Sequence, residues 1–343
     1  MARAARVLLC CASVPLLGNS VKLRNVLSLV VACAASSALA EPAVIYDMGG
    51  KFDKSFNEAA FAGAERWKKE SGKPYLDFEI SNAAQREQAQ RRMAERGADP
   101  IIGVGFSQGS SLEKVAKEFP KSNFAIIDSV IKLPNVESIV FKEHEGSFLV
   151  GMMAALASKT GKVGFVGGMD IPLIRRFQCG YEQGAKYANP KVEISANMTG
   201  TSPAAWNDPA KGSELAKAQF AKGVDVVFAA AGGTGVGVYQ AAKDAGKLAI
   251  GVDSNQNHLH PGTMLTSMVK RVDVAVYNAF KGTKGGNVNN LGLKEGGVDY
   301  ALDQHNEKLV NAEMKKKVDA AKADIIAGKI KVADYMADNA CKP

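Results

Sequence analysis

The sequence is poor in the residues that build metal and redox centres. It has four histidines and five cysteines in 343 residues. His144 stands alone, and His258, His260 and His305 occupy polar turns without ligand spacing, so no metal cluster is expected and no cofactor is implied. Cys10, Cys11 and Cys33 lie within the first forty residues. Cys179 and Cys341 remain, too far apart for a zinc spacing or a redox pair. They could bridge if the C-terminal tail folds back beside the helix expected over 171–188, or Cys179 could stay free and buried; both readings stand open. No later stretch reaches the roughly twenty apolar residues of a membrane span. Concentrated positive charge is also missing. The first forty residues hold Arg3, Arg6, Lys22 and Arg24 and no acid, so without them the formal charge falls from +8 to +4. That excess is spread through the chain, which excludes the basic footprint of a nucleic-acid partner. With 46% hydrophobic and 23% charged residues, the composition excludes disorder and suffices for a large core in two lobes.

The first forty residues read as a leader. Lys22 and Arg24 precede a short apolar run over 26–35, and Ala38-Leu39-Ala40 places small residues where a signal peptidase cuts, so the exported chain is expected to start near Glu41. Residues 1–20 carry a second basic and apolar patch, which a true start at Val21 would explain. A competing signal, Val30-Val31-Ala32-Cys33, fits a lipid-accepting cysteine. Soluble export to the periplasm is the expectation, with an anchor at Cys33 as the alternative.

The chain is organised around AVIYDMGGKFDKSFN, residues 43–57. A β-rich run ends at Asp47, passes Gly49 and Gly50, and delivers Asp53, Ser55, Phe56 and Asn57 to a helix over 55–70, whose apolar face repeats in threes and fours. Ser55 or Asp53 could cap that helix. Strands follow over 75–80, 100–104, 123–127 and 136–141, with helices over 84–96 and 110–118. After a helix over 147–157 the rhythm restarts. Strands over 162–166, 192–196, 224–229 and 248–252 alternate with helices over 171–188, 208–222 and 235–245. A strand over 263–269 and a helix over 273–280 come next, then a turn region over 282–292, an edge strand over 297–302 and a last helix over 311–327. Two successions of βα units predict α/β architecture with parallel, doubly wound sheets.

Asp47, Asp128, Asp253 and Lys270 each stand at or just beyond the end of an apolar strand. In open α/β sheets the ligand site lies outside those ends, so a cleft between two lobes would gather all four. Each alone could be a turn or cap residue. Phe56 and Trp206, the latter in the polar turn 199–208, supply aromatic surface suited to a flat heterocycle, although packing over a loop would also account for the tryptophan. The run Ala229 to Gly237 lacks the Walker lysine and is not in the opening βαβ unit, so close backbone approach to an uncharged ligand is expected there rather than phosphate binding. Gly105-Phe106-Ser107-Gln108-Gly109 matches a bare GxSxG elbow. An exported serine hydrolase would further need Asp225 or Asp253 and one of the later histidines, and the two-series rhythm does not resemble one hydrolase sheet.

Together, Asp47-x-Gly49-x3-Asp53-Lys54-Ser55-Phe56-Asn57, the segment Asn207 to Gly212, Ala230 to Gly235, Ile250-Gly251-Val252-Asp253-Ser254, Thr266-Ser267 and Lys270 resemble the basic membrane protein family of bacterial substrate-binding proteins, the purine-nucleoside receptor type. The resemblance covers essentially everything after the leader. It implies a type I periplasmic binding protein-like fold: two α/β lobes joined by a hinge, with the ligand in the interlobe cleft. Lobe 1 would comprise residues 41–141 plus about 270–296, and lobe 2 about 142–269 plus about 297–343. It further implies no catalysis, and a monomer that passes a purine nucleoside or base, such as adenosine, guanosine, inosine or adenine, to the permease of an ABC importer. Phe56 and Trp206 would stack on the base and Asp128 would bind its edge. Asp47 would support recognition, Asp253 and Lys270 would meet the ribose or its replacement, and Asn57 and Gly233 are further contacts. Asn255 stands where the family often has a second acid, which bears on the sugar. An envelope protein using the same fold for sensing or attachment is the alternative.

Overall fold

The computed structural model describes residues 40–341; the expected leader, its cleavage site and Cys33 lie outside them. The first series runs β1 (Ala43–Tyr46), α1 (Phe56–Ser71), β2 (Leu76–Glu79), α2 (Gln85–Glu95), β3 (Ile101–Gly103), α3 (Gly109–Glu118), β4 (Phe124–Ile127) and β5 (Val136–Phe141). The second runs α4 (Glu143–Ala157), β6 (Lys162–Met169), α5 (Pro172–Ala188), β7 (Glu193–Gly200), α6 (Pro209–Ala221), β8 (Val226–Ala230), α7 (Gly235–Asp244), β9 (Leu248–Asp253) and β10 (Met264–Lys270). The chain closes with α8 (Val272–Lys281), β11 (Val288–Leu291), β12 (Val298–Tyr300), α9 (Ala312–Ile326) and α10 (Tyr335–Asp338).

Among the described residues these strands form two six-stranded sheets, ordered β11-β5-β4-β3-β1-β2 and β12-β10-β9-β8-β6-β7. All neighbours are parallel except β12, which runs antiparallel to β10 at an edge. Strands such as AVIY in β1 and FAII in β4 are wholly buried because helices cover both faces of each sheet. In the first, α1 packs on α8 and α2 on α3; in the second, α4 packs on α5 and α6 on α7. The expected α/β, doubly wound pair of lobes is thus present.

The chain passes from the first sheet to the second after β5, returns after β10, and passes over again between β11 and β12. Two of those crossings carry Glu143 and Lys270 at or beside their strand ends. Local chemistry sets several boundaries. Asp208 caps α6 by accepting from the Lys211 amide at 2.9 Å, with Pro209 in its first turn, and Asn311 caps α9 through the Met314 amide at 2.8 Å. Of the two readings for the exported cysteines, the structure has the bridge: Cys179 is bonded to Cys341.

Among the segments that differ from their sequence patterns are β7, which runs four residues past its expected end at 196, and two others. Val288–Leu291 lies within the stretch expected to be a turn, yet it forms the parallel edge strand β11. Its two asparagines carry no strand propensity; the pairing comes from β5, where Glu137 accepts from Asn289 at 2.6 Å. Helix α4 begins at Glu143, four residues before the expected start at 147. Its first turn is acidic and polar, which hid it from an apolar pattern, but Glu143 and His144 are buried.

Candidate ligand-binding cleft

The two sheets repeat one device at their carboxyl ends. After β3 and after β8 the chain takes a left-handed glycine (Gly105, φ 105°; Gly232, φ 56°), then a short helical turn, then a helix. At the ends of β4 and β9, Asp128 and Asp253 both adopt left-handed backbone conformations, φ 66° and 63°. Such conformations are uncommon outside glycine and cluster at binding sites, where they aim a side chain off the strand axis.

These strand ends enclose a cleft of about 610 Å³, counted with the open solvent at its mouth. Asp47, Phe56, Asn57, Asp128, Trp206, Asp253 and Lys270 all line it. Gly232 lines it as well, whereas Gly233, the glycine expected there, sits against the Trp206 carbonyl and the Asn207 side chain outside the lining. Phe106, Leu173, Ile174 and Phe177 complete an apolar wall that the sequence pattern did not single out. Phe106 was hidden in the GxSxG match. The three from α5 fall on an ordinary amphipathic face, which marks burial but not what is buried against it.

The opening loop is held by its own side chains. Asn57 accepts from the Asp47 amide at 3.2 Å and donates to the Asp47 and Gly50 carbonyls at 3.0 and 3.1 Å, so its amide shapes the loop wall. Asp47 accepts from the Met48 amide, the Ser107 hydroxyl and Arg86. A side chain at Gly105 would collide with that carboxylate. Asp53 does the capping at α1, accepting from the amides of Ser55, Asn57 and Glu58 at 2.8 to 3.1 Å. Burial nevertheless pushes its carboxyl up to about 7, opposed by those amides.

The lobes touch along this loop. Ser55 donates to Asp253 Oδ2 at 2.5 Å, Ser254 to the Ser55 carbonyl at 3.0 Å and Gln256 to the Lys54 carbonyl at 2.7 Å. Asn255 points elsewhere, donating to Asp303 at 2.6 Å. It does not line the cleft, so its departure from the acidic residue leaves the wall unchanged.

At the centre lies a buried ion cluster. Lys270, 2% exposed, places Nζ 2.7 Å from Asp128 Oδ2 and 3.0 Å from Glu143 Oε1. The rings of Phe56, Phe141 and Phe177 surround that ammonium at 5.0 to 5.7 Å. Burial alone would lower the Lys270 pKa, but Asp128, Glu143 and Asp253 outweigh it and raise it. Burial raises Asp128 to about 6 against the pull of Lys270, and raises Asp253 against Lys270 and Ser55. Asp128 Oδ1 is buried without a hydrogen-bond partner. Such a group costs about 1–3 kcal/mol until something donates to it.

Trp206 rests its ring on the backbone of Gly168 in β6, where a methyl group would overlap the indole. Gly168→Ala is expected to displace Trp206 and weaken ligand binding about tenfold, with β6 and the sheet intact by circular dichroism. Unchanged affinity would mean that the indole's position does not matter.

Ser107 of the GxSxG segment gives its hydroxyl to Asp47, and no histidine is among its hydrogen-bond partners. Asp225 accepts from Ser158 and the amides of Lys159 and Thr160, and the rings of His258 and His305 meet edge-on with centroids 6.5 Å apart. No triad forms from these residues. Among the described residues no helix is long and apolar enough to cross a membrane.

A family model described as ABC transporter substrate-binding protein PnrA-like matches residues 40–335. The chain is 37% identical over 317 residues to the ABC transporter nucleoside-binding protein BmpA of Lactococcus lactis, covering 84% of this chain and 88% of that one. It is 33% identical over 312 residues to Basic membrane protein A of Borreliella burgdorferi, covering 86% and 89%. A solute-binding protein of an ABC transporter system from Aeropyrum pernix superposes with a TM-score of 0.79 at 32% identity, covering 85% and 93%. Fold and relatives are those of non-catalytic solute-binding proteins, which removes the hydrolase reading. The chain belongs to the PnrA-like family of ABC transporter substrate-binding proteins, and acts outside the cytoplasm as the solute-binding partner of an ABC transporter.

Proposed function

We propose that the cleft binds a purine nucleoside or free purine base, such as adenosine, guanosine, inosine or adenine, for delivery to the transporter's permease. The observation that carries this is Asp128 Oδ1, a buried acceptor without a partner, in the same cleft as Phe56 and Trp206. An ionised carboxylate accepts only, so the solute must present an N–H or O–H donor there, and the edge of a purine presents an N–H. Phe56 and Trp206 take the two faces of the base. Lys270 has three donor hydrogens and gives one to Asp128 Oδ2, with Glu143 as a second ion-pair partner; a remaining hydrogen, together with Asp253, meets the ribose or what replaces it. Asp47 and Asn57 act by holding the opening loop in place. The Lactococcus relative, named as nucleoside-binding, supports the assignment. The chain passages after β5, after β10 and between β11 and β12 serve as the hinge between a lobe of residues 41–141 plus about 270–296 and a lobe made by the rest.

Calorimetry on the exported protein, freed of carried-over ligand by unfolding and refolding, tests this. Saturable binding of at least one purine, and none of free sugars or amino acids, is the expected result. Binding of a sugar or amino acid with no purine response refutes it. We infer that export ends at Ala38-Leu39-Ala40, leaving the protein free in the periplasm as a monomer; a lipid-modified Cys33 at the N-terminus of the isolated protein would refute that.

A further inference from the structure

Behind the cleft a line of alternating charges runs from the ligand-facing Asp128 to the C-terminal tail. Lys270 lies between Asp128 Oδ2 and Glu143 Oε1, at 2.7 and 3.0 Å. Glu143 Oε2 accepts from Arg176 Nη1 at 3.0 Å, and the same nitrogen donates to the Phe141 carbonyl at 2.7 Å. Arg176 Nε and Nη2 then donate to the two oxygens of Asp334, each at 2.7 Å. The tail that carries Asp334 is tied to α5 twice more: Gln183 exchanges hydrogen bonds with the backbone of Ala333, and Cys341 is bonded to Cys179. Arg176, Cys179 and Gln183 share one face of α5.

Glu143 is the unusual member. Its side chain has no exposed surface, it does not line the cleft, and it opens α4 at the first passage between the sheets. The N-terminal end of a helix favours a carboxylate, and here that carboxylate separates two buried cations. Lysine is a point charge on a flexible stem, so its neighbours decide where the ammonium sits. With only Asp128 beside it, the ammonium would settle between both oxygens of that carboxylate and engage Oδ1. We propose that Glu143 is a positioning residue for solute recognition: held by Arg176, it draws Lys270 Nζ to one side, confines it to Asp128 Oδ2, and leaves Asp128 Oδ1 for the solute. This rests on Asp128 being a ligand contact, as proposed above.

Guanosine is the probe, and the test is a double-mutant cycle on the full exported protein. Glu143→Gln is expected to weaken guanosine binding about tenfold. In a Lys270→Met background the same change should alter affinity by no more than twofold, because the group through which Glu143 acts is gone. Equal losses in both backgrounds would overturn the proposal, since a purely structural role adds independently. A second measurement needs no ligand: the carboxyl carbon of Asp128, followed by NMR across pH with Lys270, Glu143 and Asp253 as its charged neighbours. Glu143→Gln should move its midpoint downward, as a repelling charge leaves and the ammonium draws closer. An unmoved midpoint overturns the proposal even if no purine binds, an outcome that would refute the purine assignment separately. Should Glu143→Gln not fold, Asp334→Asn replaces it, loosening Arg176 from the more exposed end of the line. About threefold weaker binding that disappears in the Lys270→Met background supports the proposal, and a loss that persists there overturns it.

Discussion

Alanine at position 128 is expected to weaken purine binding at least about 30-fold while the protein stays folded. Asp128 lines the cleft, its Oδ1 is buried with no protein donor, and its Oδ2 accepts from Lys270. A purine N–H that meets Oδ1 forms a charge-assisted hydrogen bond away from water, and losing such a buried partner costs about 2–5 kcal/mol, where 1.4 kcal/mol is tenfold. The fold tolerates the change because Lys270 keeps Glu143 at 3.0 Å. Asp128→Asn should also bind weakly, since its amide turns an acceptor into a donor at one of the two positions. Calorimetry gives the affinities and circular dichroism the folded state; wild-type affinity in both variants would refute the role given to Asp128.

Lys270→Met is expected to cost stability even without ligand. Two buried carboxylates, Asp128 and Glu143, would lose the cation they share. Breaking a buried pair on one side typically costs about 3–5 kcal/mol, which at this size corresponds to a melting temperature lower by about 10 °C. The deficit should depend on pH in a definite direction. Burial already raises Asp128 above the ordinary carboxylate range, to about 6, and Lys270 opposes that rise. Without the lysine the folded-state value climbs further. A carboxyl raised on folding costs stability above its folded pKa, and the cost fades as pH falls toward the unfolded value, about 3.9. Denaturation of wild type and variant at pH 7 and pH 5 should therefore show the gap narrowing at pH 5. A gap that widens on acidification would contradict the burial of this cluster.

Much of the cleft was legible because its polar residues sit where short apolar runs stop. Asp47, Asp128, Asp253 and Lys270 end or follow strands that are wholly or almost wholly buried, and a parallel sheet offers its ligand site at that end. Glu143 was not legible. It sits in EHEGSF, which reads as a polar loop before an apolar helix, and its meaning comes from Lys270 and Arg176, 127 and 33 residues away. The edge strand VNNL was missed for a related reason: its pairing energy lies in the backbone and side chains of β5, not in its own propensity. Gly232 and Gly233 differ only in which one the turn rotates toward the cleft, a distinction that composition does not carry.

By itself the sequence determined the alternation of strands and helices, the doubling of that alternation, the end of each strand that would bear the site, and the aromatic and acidic character of the cleft. Those properties are periodic or local, and hydrophobic burial enforces them wherever the chain folds. The tertiary structure alone decided which oxygen of Asp128 stays free, which carboxylates share Lys270, and that the C-terminal tail closes on α5 through Asp334 and Cys341. Each of these depends on atoms brought within about 3 Å from distant parts of the chain, a range at which charge and hydrogen bonding act and along which sequence separation gives no measure.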